Sequence, residues 1–102
     1  MTALSGSGPA YFYLFIKALA DSAVSEGLPA ELAIRMALKT MRGAEENMRR
    51  SPLDAAVLRE NVTSPGGTTA AALEVLMAKD GMQPLLTRAV AAATRRSKEL
   101  AK

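Results

Sequence analysis

The sequence contains no cysteine and no histidine. That excludes disulfides, thiolate nucleophiles, imidazole acid–base catalysis and the usual zinc sites, so no metal site is expected. Tryptophan is also absent, and the four aromatic residues sit in one short stretch as Tyr11, Phe12, Tyr13 and Phe15. Stacking aromatics spread over a basic face, which a nucleic-acid surface would need, are therefore missing. No apolar run approaches the roughly 20 residues of a membrane span, and no targeting segment is visible. Acids and bases nearly balance, 10 against 13, for a net charge of +3. Most of the charges are interleaved, as on solvated helix faces, and the mild positive bias suits an anionic small molecule. The expectation is a cytoplasmic protein with no nucleic-acid and no membrane partner.

At 102 residues the chain is expected to form a single domain over residues 1–102. Alanine supplies 20 of them. Such small side chains allow helices to approach closely but leave a thin core, and a lone domain of this size is only moderately stabilised by burial. Part of its apolar surface is expected to meet a second copy of the chain.

No segment alternates apolar and polar residues with period two, so no strand is predicted. The first helix enters through Ser5–Pro9, with Ser7 or Gly8 as cap and Pro9 at the first helical position. Ala10 to Ile16 is an unbroken apolar run, which implies a helix covered on every side, and in so short a chain that points to a helix held between two subunits. Gly27 reads as a left-handed cap, and Pro29 with Glu31 opens the second helix. Ile34, Leu38, Met41, Ala44 and Met48 form its predicted inner stripe, with the methionines as core. Glu31–Arg35, Glu45–Arg49 and Glu46–Arg50 are predicted ion pairs, and Gly43 suggests close backbone packing. Ser51-Pro52 breaks the chain, and Asp54 caps a short helix to about Glu60 with Val57, Leu58 and Val62 inward. A further helix runs from about Thr69 to Lys79, Asp80-Gly81 marks a turn, and Pro84 opens the last helix. Its predicted inner face is Leu85, Leu86, Ala89, Val90 and Ala93. The fold class is all-α: about five helices in a bundle, interlocked in a homodimer.

The most informative stretch is Asn61 to Leu73. A loop of Thr63, Ser64, Pro65, Gly66, Gly67, Thr68 and Thr69 runs into good helix formers, and the first acid is Glu74, more than a turn in. A helix start carries N–H groups without partners and the positive end of the macrodipole. Two glycines allow a ligand close to the backbone, and the hydroxyls add donors. Two readings stand: an anion site using the N–H groups of Gly66, Gly67 and Thr68, or a plain turn with Thr68 or Thr69 as N-cap. The loop lacks the Gly-Lys-Ser/Thr of a nucleotide-binding P-loop, and Gly6-Ser7-Gly8 follows no strand.

Leu58-Arg59-Glu60-Asn61-Val62-Thr63-Ser64-Pro65-Gly66-Gly67-Thr68-Thr69, followed by Ala72-Leu73 and Leu76, resembles the signature of the pyrroline-5-carboxylate reductases. Leu4-Ser5-Gly6-Ser7-Gly8-Pro9-Ala10-Tyr11 and Gly27-Leu28-Pro29 match the same family in the same order. The resemblance covers essentially the whole chain but only the family's carboxy-terminal dimerisation domain; its amino-terminal Rossmann-type cofactor domain has no counterpart here.

The resemblance implies an oxidoreductase of proline biosynthesis that reduces 1-pyrroline-5-carboxylate to L-proline with NAD(P)H. It implies a homodimer, with higher assemblies in some members, and a small-molecule carboxylate as substrate. Carried over by position, Ser64, Gly66, Gly67, Thr68 and Thr69 bind the substrate carboxylate and ring, Thr69 is the catalytic residue beside the imine nitrogen, and Asn61 lies close to the cofactor. Alone, without the cofactor domain, the chain is expected to bind no cofactor and to be inactive. Ser5 and Ser7 read as caps before ligand contacts, and Tyr11 and Tyr13 as structural. The alternative function is a stand-alone helical oligomerisation module without chemistry.

Overall fold

The computed structural model describes residues 6–101. Leu4 and Ser5, which belong to the first motif and the first predicted cap, lie outside the described residues. Five helices follow in order: α1 Gly8–Ser25, α2 Ala30–Arg50, α3 Ala55–Asn61, α4 Thr68–Leu76 and α5 Met82–Leu100. The architecture is all-α, with no strand among the described residues. The chain divides into two compact units, one of Gly8–Asp54 and the other running from Ala55 onward and including the segment before Gly8.

In the first unit α1 and α2 form a helical hairpin. Gly27 sits at φ 110 and ends α1 as predicted. The Leu28 N–H donates to the Ala23 carbonyl at 3.1 Å and the Gly27 N–H to the Val24 carbonyl at 3.0 Å, a Schellman closure that satisfies two terminal carbonyls. Leu28 and Ala23 then pack against the hairpin's core. Pro29 is the N-cap of α2 rather than its first residue, with extended backbone at φ −61 and ψ 143. This suits proline, whose φ is fixed and whose missing N–H costs nothing at a helix start.

The hairpin closes on three alanines, Ala20, Ala33 and Ala37, flanked by Ile16, Ala23 and Leu28. This corrects the predicted inner stripe of α2. Ile34, Leu38 and Met48 are exposed, and the covered face is the alanine face beside them. The reason is steric: two helix axes approach most closely where side chains are smallest, so the larger residues fall on the flanks. Within one copy Gly43 makes no close packing, because nothing lies within 4 Å of a β-carbon built there. Lys17–Asp21, Glu45–Arg49 and Glu46–Arg50 pair on the surface, and Arg49 pairs with Glu46 as well. Glu31 and Arg35 form no ion pair.

In the second unit α4 ends at Leu76, three residues before the predicted Lys79. The Gly81 N–H donates to the Ala78 carbonyl at 2.8 Å and the Met77 N–H to the Leu73 carbonyl at 2.7 Å. A β-carbon on Gly81 would stand 2.3 Å from the Leu76 carbonyl oxygen, so this corner requires glycine. Gly81 caps α5, which leaves Pro84 at its third position rather than its first. No residue of α3, α4 or α5 is buried. The predicted inner residues Leu85, Leu86 and Ala89 are exposed, while Val90 and Ala93 are half-buried. The apolar run of α1 is likewise uncovered, with Tyr13 72% and Leu14 71% exposed. No described helix is long and apolar enough to cross a membrane.

Candidate functional site

The loop between α3 and α4 is built by local chemistry alone. α3 ends in a tightened turn, with the Thr63 N–H donating to the Glu60 carbonyl at 3.0 Å and the Val62 N–H to the Arg59 carbonyl at 3.3 Å. The Thr63 hydroxyl also donates to the Arg59 carbonyl, at 2.6 Å. Ser64-Pro65-Gly66-Gly67 follows as a four-residue turn closed by the Gly67 N–H on the Ser64 carbonyl at 3.0 Å. Pro65 presets the first central position, and Gly66 takes the second at φ 72. This is the type II pattern, in which the second central residue needs positive φ. Gly67 is fixed by approach rather than by φ, since a β-carbon there would lie 3.3 Å from the Ser64 carbonyl oxygen.

Gly67 is also the N-cap of α4 and offers no side chain to it. Its carbonyl accepts the Ala71 N–H at 3.1 Å, the first bond of the helix. The N–H groups of Thr68, Thr69 and Ala70 therefore have no partner among the described residues. Of the predicted donors Gly66, Gly67 and Thr68, the Gly67 N–H is taken by the turn, and the unpartnered N–H groups at the start of α4 extend to Ala70, which sequence reasoning did not include. Thr68 and Thr69 are the first two helical residues, so neither is the cap that the plain-turn reading assigned. The acid-free first turn is real but is shared with α1, α3 and α5. What sets α4 apart is the turn in front of it.

The loop brings the predicted site residues into one short segment. Ser64, Gly66 and Thr68 are exposed, Gly67 and Thr69 are half-buried, and Asn61 is exposed at the last position of α3. Among the described residues no polar or charged residue is buried. The loop thus offers N–H groups and hydroxyls of the kind that can bind and orient an anion, and no desolvated acid or base. No group of three or more metal-binding side chains exists among the described residues. Ser7 is half-buried, and in the hairpin Tyr11 is half-buried and Tyr13 exposed.

A second feature, invisible in the sequence, belongs to the hairpin. Phe12, Phe15, Leu19, Met41 and Met48 line an open apolar groove of about 640 Å³. The methionines assigned to a core therefore stand at its surface.

The family model described as pyrroline-5-carboxylate reductase dimerisation matches residues 1–100. The chain belongs to that family. Its relatives include the pyrroline-5-carboxylate reductase of Arabidopsis thaliana, 48% identical over 98% of this chain and 36% of the relative. That of Synechocystis is 47% identical over 100% of this chain and 38% of the relative. Among solved structures, the Plasmodium falciparum pyrroline carboxylate reductase with NADP bound superposes with a TM-score of 0.94 at 40% identity, covering 99% of this chain and 38% of that one. The Coxiella burnetii pyrroline-5-carboxylate reductase gives 0.93 at 42% identity, over 99% and 37%. The chain spans little more than a third of the length of these relatives. What it corresponds to in them is the pyrroline-5-carboxylate reductase dimerisation domain.

Proposed function

We propose that this domain serves a reductase that converts 1-pyrroline-5-carboxylate to L-proline with NAD(P)H, and that it does so as a homodimer holding the substrate. The observation that carries the reading is the α3–α4 loop: three unpartnered N–H groups behind a type II turn, on a domain of this family. The N–H groups of Thr68, Thr69 and Ala70 face the carboxylate, where the positive end of α4 adds its dipole. The Ser64 and Thr68 hydroxyls complete the cradle. Gly66 and Gly67 keep side chains out of the ligand's way and hold the turn that aims the N–H groups.

The Thr69 hydroxyl reaches the ring nitrogen. Its pKa lies far from neutrality, so it orients the imine and relays a proton from water rather than acting as a strong acid. NAD(P)H supplies the hydride when bound, and positioning the ring against it is where most of the rate gain arises. The chain fits that group only in part. Asn61, with an exposed amide that donates and accepts, suits the nicotinamide end, whereas no strand–glycine-loop–helix is present among the described residues to cradle a dinucleotide. In this reading the remaining part of a full-length reductase holds the dinucleotide, and turnover takes place in the cytoplasm.

The test is Thr69→Ala in a full-length reductase carrying this sequence, read as kcat and KM beside sedimentation. Turnover falls at least tenfold with the dimer intact. Unchanged turnover would remove Thr69 from the site and leave oligomerisation as the role of the domain.

A further inference from the structure

No glycine closes the end of α3. Among the described residues positive φ occurs at Gly27 and Gly66 alone, so the left-handed closure that ends α1 is absent here. In a continuing helix the Arg59 carbonyl would accept the Thr63 N–H. That N–H goes to the Glu60 carbonyl instead, at 3.0 Å, and the Val62 N–H reaches Arg59 at 3.3 Å. The Thr63 hydroxyl stands in, donating to the Arg59 carbonyl at 2.6 Å. The Ser22 and Thr40 hydroxyls donate in the same way four residues back, at 2.8 and 2.7 Å. Those two lie inside α1 and α2, where the bond adds to a continuous ladder. Thr63 lies past the last residue of α3, where the bond replaces a rung. With 7 residues, α3 is short enough for one such bond to matter.

This bond also sits at the root of the loop. Ser64 follows directly, and its carbonyl closes the turn on the Gly67 N–H at 3.0 Å. Gly67 opens α4 in turn, its carbonyl accepting the Ala71 N–H at 3.1 Å. The N–H groups of Thr68, Thr69 and Ala70 are thus aimed from the end of α3 through a single four-residue turn. We propose that Thr63 is a positioning residue of the substrate loop: its hydroxyl, held on the Arg59 carbonyl, fixes where the turn starts and so the direction of the N–H groups that take the carboxylate. The proposal rests on the substrate-loop reading above and goes beyond it, naming a residue that acts through Ser64 and the turn rather than by touching the ligand. Threonine suits this role, because its branched Cβ restricts χ1 and keeps the hydroxyl on its acceptor. A methyl cannot take the hydroxyl's place: 2.6 Å from a carbonyl oxygen is well inside the ~3.5 Å contact distance of carbon.

The test compares Thr63→Val and Thr63→Ser in a full-length reductase carrying this sequence. Steady-state kinetics with 1-pyrroline-5-carboxylate are read beside hydrogen exchange of the Gly67 and Ala71 amides. In Thr63→Val these amides exchange faster, and KM for the imino acid rises about three- to tenfold, the range that one hydrogen bond spans. The kcat stays within about twofold, because carboxylate capture serves ground and transition states alike. Thr63→Ser restores both readings to near wild type. Unchanged exchange in Thr63→Val overturns the proposal whatever the kinetics show, and so does a serine variant as impaired as the valine one. Faster exchange with unchanged KM also overturns it, and Thr69→Ala then separates the causes. If Thr69→Ala is impaired, the substrate loop stands and Thr63 only stops α3; if it is not, the substrate-loop reading has failed as well. Should Thr63→Val not fold, Thr63→Ala decides on the same readings, since it removes the hydroxyl without setting a methyl against the Arg59 carbonyl.

Discussion

Gly81→Ala tests the corner between α4 and α5. The added β-carbon would stand 2.3 Å from the Leu76 carbonyl oxygen and 2.9 Å from its carbon. Unstrained contacts of carbon need roughly 3.5 Å, so one side must move by about an ångström. Both neighbours are backbone, and neither can rotate away as a side chain would. The cheapest relief is to open the corner, which breaks the Gly81 N–H bond to the Ala78 carbonyl at 2.8 Å. Strain of about 1–3 kcal/mol and a lost hydrogen bond of about 1 kcal/mol give about 2–4 kcal/mol per copy. At ~4–8 °C per kcal/mol for a domain of this size, Tm falls by at least about 8 °C. The assay is a thermal melt by circular dichroism, with wild type and variant at the same chain concentration. A Tm within about 2 °C of wild type would refute the close approach and the account of why α4 stops at Leu76.

Gly43→Ala is the contrasting case: with nothing within 4 Å of the new methyl, better helix propensity adds about 0.8–1 kcal/mol, and the same melt rises by roughly 4 °C. A fall in Tm would place a partner's backbone against that point of α2. Gly27→Ala forces an alanine to φ 110 and destabilises by about 1–2 kcal/mol; urea unfolding at fixed chain concentration shows a lower midpoint, and an unchanged one would refute the Schellman closure. Gly66→Ala strains a turn residue at φ 72, which tilts the N–H groups behind it. In a full-length reductase KM for the imino acid rises several-fold with the dimer intact, and an unchanged KM would separate the turn from the substrate site.

The helix boundaries were legible where one residue decides the backbone. Gly27, Pro29, Ser51-Pro52 and Asp80-Gly81 all mark turns in the structure within a residue or two of the sequence reading. The family was legible because the Leu58–Thr69 stretch is unusual in composition as well as order. The covered faces were not. Periodicity picks out the largest apolar residues, Ile34, Leu38 and Met48, whereas the contact between α1 and α2 is made by Ala20, Ala33 and Ala37. An alanine carries almost no hydropathy signal, yet it sets how close two helices come. At the loop one of the three expected donors is already bonded within the protein. The sequence places Gly67 at the ligand, but only the closed turn reveals that its N–H is already bonded to Ser64 and that the free set extends to Ala70.

The exposed apolar faces bear on the loop as well. An N–H group can be aimed only if the helix behind it is held, and α4 is too short to hold itself. No described residue of its own unit is buried to do so either. Leu85 and Leu86 on α5 and the run of α1 from Phe12, apolar yet exposed in one copy, are residues that the proposed pairing covers. On that pairing the geometry of the loop is a property of the paired state, and by linkage a ligand that binds only the folded loop adds its binding free energy to pairing.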